Sequence, residues 1–62
     1  MFSIEDHGSI VLIRPLTADV EEWIEEHVGG EDTMYFGSAV VVEPRYVAPI
    51  IEALVAEGFT AQ

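Results

Sequence analysis

The stretch DVEEWIEEH places Asp19, Glu21, Glu22, Glu25 and Glu26 within nine residues that contain neither lysine nor arginine. Carboxylates are the only reactive side chains present in number: twelve Asp and Glu stand against two arginines, two histidines and no cysteine. Clustered carboxylates can do acid–base chemistry, hold a hard cation, or present negative charge to a positive surface.

Acid–base chemistry needs a carboxyl whose pKa is moved toward neutrality, and an exposed helix face supplies no burial to move it. Ser9 and Ser38 lack a nucleophile elbow around them, and no glycine-rich phosphate loop is present. No catalytic residue and no enzyme activity are expected. A calcium loop of the form D-x-[DN]-x-[DN]-G is absent, and Glu5-Asp6-His7-Gly8 offers too few spaced oxygens. His7 and His27 lack the paired spacing of a zinc site, and no thiolate is available. No metal site and no cofactor are expected.

Recognition by charge is the chemistry that remains. On a helix, Glu21/Glu25 and Glu22/Glu26 form two rows of like charge about 6 Å apart along the axis, each pair costing a few tenths of a kcal/mol. Glu31 and Asp32 lengthen the array, and no lysine or arginine occurs from Pro15 to Pro44. Two readings fit: a solvated face that keeps a small apolar protein soluble, or a surface that imitates the phosphate rows of a nucleic acid. A second candidate cluster combines Arg14, Glu43, Arg45 and Tyr46. Arg14-Pro15 and Glu43-Pro44-Arg45-Tyr46 each follow a β-type run, so parallel strands would gather both arginines on one edge. Internal ion pairing is the ordinary reading of that cluster; an anion site made of guanidinium and aromatic ring is the other.

These residues need elements to position them. Phe2-Ser3-Ile4 alternates, Glu5 to Gly8 is rich in turn formers, and Ser9 to Arg14 is a β-branched run that Pro15 ends, which together read as a hairpin with a largely buried second strand. Thr17 is a candidate N-cap for a helix from Ala18 to about Val28, ended by Gly29-Gly30. Its apolar side carries Val20, Trp23, Ile24, His27 and Val28, and its other side the four glutamates. Met34-Tyr35-Phe36 and Ala39 to Glu43 read as extended, broken by Gly37-Ser38 at a bulge or tight turn. Pro49 fits the first turn of a second helix, from about Ala48 to Glu57, with Ile50, Ile51, Leu54 and Val55 as its stripe. Gly58 suits a left-handed C′ position, Phe59 its apolar contact, and residues 59–61 a last short strand.

The order predicts one α+β domain over residues 1–62: a two-layer sandwich with a small, mostly antiparallel sheet and two helices on one face. A miniature ferredoxin-like βαββαβ arrangement is a variant of it. Tyr35, Phe36 and Tyr46 read as packed or half-packed aromatics.

Composition narrows the partner. The formal net charge is −10, which repels nucleic acid and anionic membranes and attracts basic proteins over a screening length of about 8 Å. Mean hydropathy is +0.31, and half the residues are hydrophobic, so the chain is a folding one. No apolar stretch approaches the roughly 18 residues that span a bilayer, and no signal-like N-terminus precedes one. A cytoplasmic protein that binds a basic protein, with no direct nucleic-acid or membrane contact, is expected. The apolar content exceeds what two short helices and one sheet hide, which leaves a sheet face or edge for another copy to cover as a homodimer.

In HGSIVLIRPLT, WIEEHV, FGSAVVVEPRYV and the terminal EGF, the chain resembles a set of small proteins encoded in bacterial, phage and plasmid genomes. The resemblance runs from His7 to Phe59. It implies a bacterial or phage origin and an accessory role in mobile elements, and brings no assigned activity with it. Together with the acidic helix it points to an interaction module, in its most concrete form a nucleic-acid mimic of the anti-restriction or anti-CRISPR type. A homo-oligomeric structural or assembly subunit is the alternative.

Overall fold

The computed structural model describes residues 1–29 and 33–62. Six elements follow one another: β1 (Phe2–Asp6), β2 (Val11–Pro15), α1 (Ala18–His27), β3 (Met34–Phe36), β4 (Ala39–Val42) and α2 (Pro44–Ala56). The strands form one antiparallel sheet in the order β1-β2-β4-β3. The fold is the expected α+β sandwich.

The first hairpin turns later than its polar residues suggest, because Glu5 and Asp6 belong to β1 and pair with Leu12 and Val11. The Asp6 carboxylate accepts the Gly8 N–H at 2.8 Å, the His7 N–H reaches the Ile10 carbonyl at 2.9 Å, and Gly8 takes φ 82°. Asp6 thus builds the turn from the end of the strand. The second hairpin is a two-residue turn, with Phe36 paired to Ala39. Gly37 has φ 64° and no described non-glycine residue, Ser38 included, has a positive φ, the pattern of a type II′ turn.

Register decides which side chains share a face. Phe2, Ile13, Val40 and Val42 point to one side and pack with Val20 and Ile24 of α1 and Leu54 of α2 in a single core. Ile4 and Tyr35 share that side, opposite Ile13 and Val40. The other side carries Glu5, Leu12, Val41 and Met34 in one cross-strand row, and Ser3 and Arg14 followed by Ala39 and Phe36 in the next. Both helices contribute their buried residues to the first side, so no helix covers the second, which is open although Leu12 and Ala39 are buried on it.

α2 departs from the sequence-based expectation. It begins at Pro44 and carries Pro49 inside it, whereas a start near Ala48 was expected. Pro44 occupies the first helical position, where a missing N–H costs nothing, and the Tyr46 N–H bonds the Glu43 carbonyl at 2.9 Å. The early start packs Val47 against the core with Ile50, Ile51 and Leu54, a stripe at spacings of three, one and three. Val55, expected in that stripe, is 56% exposed. The early start adds the partly buried Val47 to the packed stripe and leaves Pro49 without its helical hydrogen bond.

The end of α2 follows expectation. The Phe59 N–H bonds the Leu54 carbonyl at 3.1 Å, the Gly58 N–H bonds Val55 at 2.9 Å, Gly58 has φ 93°, and Phe59 packs on the core. This is a Schellman cap with its apolar contact. Gly58→Ala is expected to cost about 1–2 kcal/mol, because a Cβ there crowds the carbonyl in the left-handed region. Thermal unfolding should record a drop of roughly 4–8 °C per kcal/mol in a domain of this size. Beyond the cap, the expected last strand is a single parallel bridge between Ala61 and Phe2.

Candidate interaction site

α1 presents the acidic face. Thr17 stands at the N-cap with extended dihedrals, but its hydroxyl makes no cap hydrogen bond to the backbone. It donates instead to the Asp19 carboxylate, which also accepts the Val20 N–H at 3.0 Å. Asp19 therefore satisfies the first turn from inside it, where the helix dipole favours an anion. The Thr17 hydrogen bond, followed by the Val20 N–H, lowers the Asp19 pKa. A lowered folded-state pKa favours the folded chain above the ordinary carboxylate range, and that contribution fades as pH falls through the lowered value.

Val20 and Ile24 turn inward and are buried at 0% and 2% exposure, which fixes the rotation of the helix. Glu21, Glu22, Glu25 and Glu26 are left exposed, as is Asp19. Trp23 is half-buried against the core and stacks on the His27 ring at 4.4 Å, 13° from parallel. The His27 Nδ1 donates to the Trp23 carbonyl at 3.0 Å. His27 itself is exposed, so it closes the apolar stripe by covering the indole. The Trp23 Nε1 is buried with no hydrogen-bond partner among the described residues. Glu31 and Asp32, the expected extension of the array, lie outside the described residues.

The arginine cluster does not assemble. β2 and β4 run antiparallel, pairing Val11 with Val42 and Ile13 with Val40, so Arg14 and Arg45 stand at opposite ends of the sheet. Arg14 turns both Nε and Nη2 onto one oxygen of Glu5, at 3.1 and 2.8 Å. That hydrogen bond, then the guanidinium charge, lowers the Glu5 pKa. Arg45 bonds Glu43 at 3.1 Å, and its guanidinium lies 4.9 Å from the Tyr46 ring centre. Both arginines are thus engaged in ion pairs. Glu5, absent from the expected cluster, is the diagonal neighbour of Arg14 on the open face, a relation that appears only once the β1–β2 register is known.

The aromatics depart from expectation too. Tyr35, Phe36 and Tyr46 are 46%, 59% and 52% exposed. β3 is a three-residue edge strand, so its side chains have a neighbour on one flank only. Tyr35 lies on the helix side, where it lines a recess with Glu21, Glu25 and Gly37; α1 therefore overhangs the free edge of β3. Phe36 and Met34 point to the open side. There, Ile10, Leu12, Met34, Phe36, Val41 and His7 line a shallow depression that no carboxylate among the described residues enters. Alternation along Leu12-Ile13 could not show this face, because both residues are apolar.

No helix among the described residues is long and apolar enough to cross a membrane. Among those residues, no group of three His, Asp or Glu is placed to hold a metal ion. No protein-family model matches the chain, and no curated protein and no solved structure matches it.

Proposed function

We propose that the protein is a non-enzymatic interaction module whose acidic α1 face docks on a basic, nucleic-acid-binding protein, in the manner of a nucleic-acid mimic made by a phage or mobile element to block a host defence or regulatory protein. The observation that carries the reading is that Glu21, Glu22, Glu25 and Glu26 stand exposed on a helix fixed by Val20 and Ile24, while both arginines are held by Glu5 and Glu43 elsewhere. A face meant only for solubility does not need its neutralising residues placed on other carboxylates. A rigid row of uncompensated charge also lowers the ordering cost that a flexible acidic tail would meet on binding.

Affinity capture from a bacterial host identifies the partner, and a titration then compares the native chain with the variant carrying Glu21→Gln, Glu22→Gln, Glu25→Gln and Glu26→Gln. Glutamine keeps the shape and helix propensity and removes the charge. Affinity is expected to fall on the order of 100-fold, about 2.7 kcal/mol, with circular dichroism unchanged. Duplex DNA should compete with the native chain for the partner. Binding retained by the variant removes the proposal.

A further inference from the structure

We infer that a second copy of this chain covers the open sheet face, so that two sheets pack face to face with their helices outward. The face is apolar where it is most exposed, with Met34 at 69%, Phe36 at 59% and Ile10 at 39%. Charge selects the occupant. Among the described residues no carboxylate lines this depression, and the carboxylate beside it on the same face, Glu5, is neutralised by Arg14. Glu43, which follows the last residue of β4, is matched by Arg45. Two copies can meet there without setting unpaired carboxylates of the described residues against one another, whereas contact through α1 would oppose eight glutamates.

The same charges exclude the other way of joining two sheets. The free edge of β3 could pair with its equivalent, as exposed edges do. Glu21 and Glu25 border Tyr35 on that edge, however, and edge pairing would draw these rows toward their copies. Facing sheets place the helix layers on opposite sides, with the sheets about 10 Å apart.

Size sets the strength. Four strands about 4.8 Å apart and five residues at about 3.4 Å span roughly 19 by 17 Å. Covering such a face on both partners removes roughly 650 Å² by these dimensions, below the range of stable specific interfaces. The association is therefore weak and concentration-dependent.

The test uses the intact chain and does not depend on the role proposed for α1. Sedimentation from about 1 to 500 μM is expected to pass from monomer to dimer, and Phe36→Glu to remain monomeric throughout. The four-glutamine variant of α1 should dimerise within about twofold of the native chain at physiological salt, since the helices lie beyond the screening length. On dilution of the native protein, amide NMR shifts at Ile10, Leu12, Met34, Phe36 and Val41 should move while those of α1 stay fixed; this readout holds even if Phe36→Glu fails to fold. A native chain monomeric at all these concentrations overturns the inference. So does a dimer indifferent to Phe36→Glu, dilution shifts confined to other residues, or a dimer strengthened more than tenfold by the glutamines, which would place the contact at the edge of β3.

Discussion

Phe2→Ala is expected to leave most of the chain unfolded at 25 °C. Phe2 is fully buried in the core, and truncating such a ring costs about 3–5 kcal/mol in transfer and cavity terms. A domain of 62 residues has roughly 3–9 kcal/mol of stability in all, so the loss is comparable with the whole. The backbone around the ring compounds it. The Phe2 N–H bonds the Thr60 carbonyl at 3.1 Å and the Phe2 carbonyl accepts the Gln62 N–H at 2.8 Å, so loosening β1 also frees the segment after α2. Urea unfolding followed by circular dichroism should show a midpoint near zero denaturant for Phe2→Ala, and an intermediate midpoint for Phe2→Leu. A Phe2→Ala chain with a near-native midpoint would mean that β1 is an appendage to the fold.

Pro49→Ala should move stability the other way, by about 1–3 kcal/mol. Proline inside a helix forfeits one hydrogen bond and strains the preceding turn, at about 3 kcal/mol relative to alanine. Pro49 is the sixth residue of α2, which starts at Pro44, and the carbonyl it leaves without its helical donor is that of Arg45. Its side chain is exposed, so alanine sacrifices little packing. Pro44→Ala is the control, since a proline at the first helical position has no helical bond to lose; its effect should stay within about 0.5 kcal/mol. Equal midpoints for Pro49→Ala and the native chain would show that a bend at Pro49 contributes to seating Val47.

The contrast between the prolines explains what the amino-acid order discloses about this fold. α1, the turn at Gly37-Ser38 and the cap at Gly58-Phe59 are legible because each rests on residues within five positions of one another. The start of α2 is not, since Pro49 argues locally against a helix that Val47 favours through contacts with the distant core. The arginines misled for a similar reason: their grouping depends on whether β2 and β4 run parallel, and neither strand carries that information. The acidic face of α1 was readable in full because Val20 and Ile24 fix the helix rotation. That a sheet face stays uncovered was legible from the apolar content; which residues line it was not, because that depends on the strand register and on how the two helices cross the sheet.

The bridge between Phe2 and Ala61, together with the Met1 amino group donating to the Thr60 carbonyl, has a topological consequence. The two ends of the described chain emerge side by side, about one strand spacing apart, so the path is nearly a closed ring. A few residues of linker could join them, and the ring could then be opened at the turn around Gly8 or Gly37 without removing any strand from the sheet. Such a body can also hang from a loop of a larger host as a pendant, entering and leaving through a single doorway, with α1 on one side and the uncovered sheet on the other.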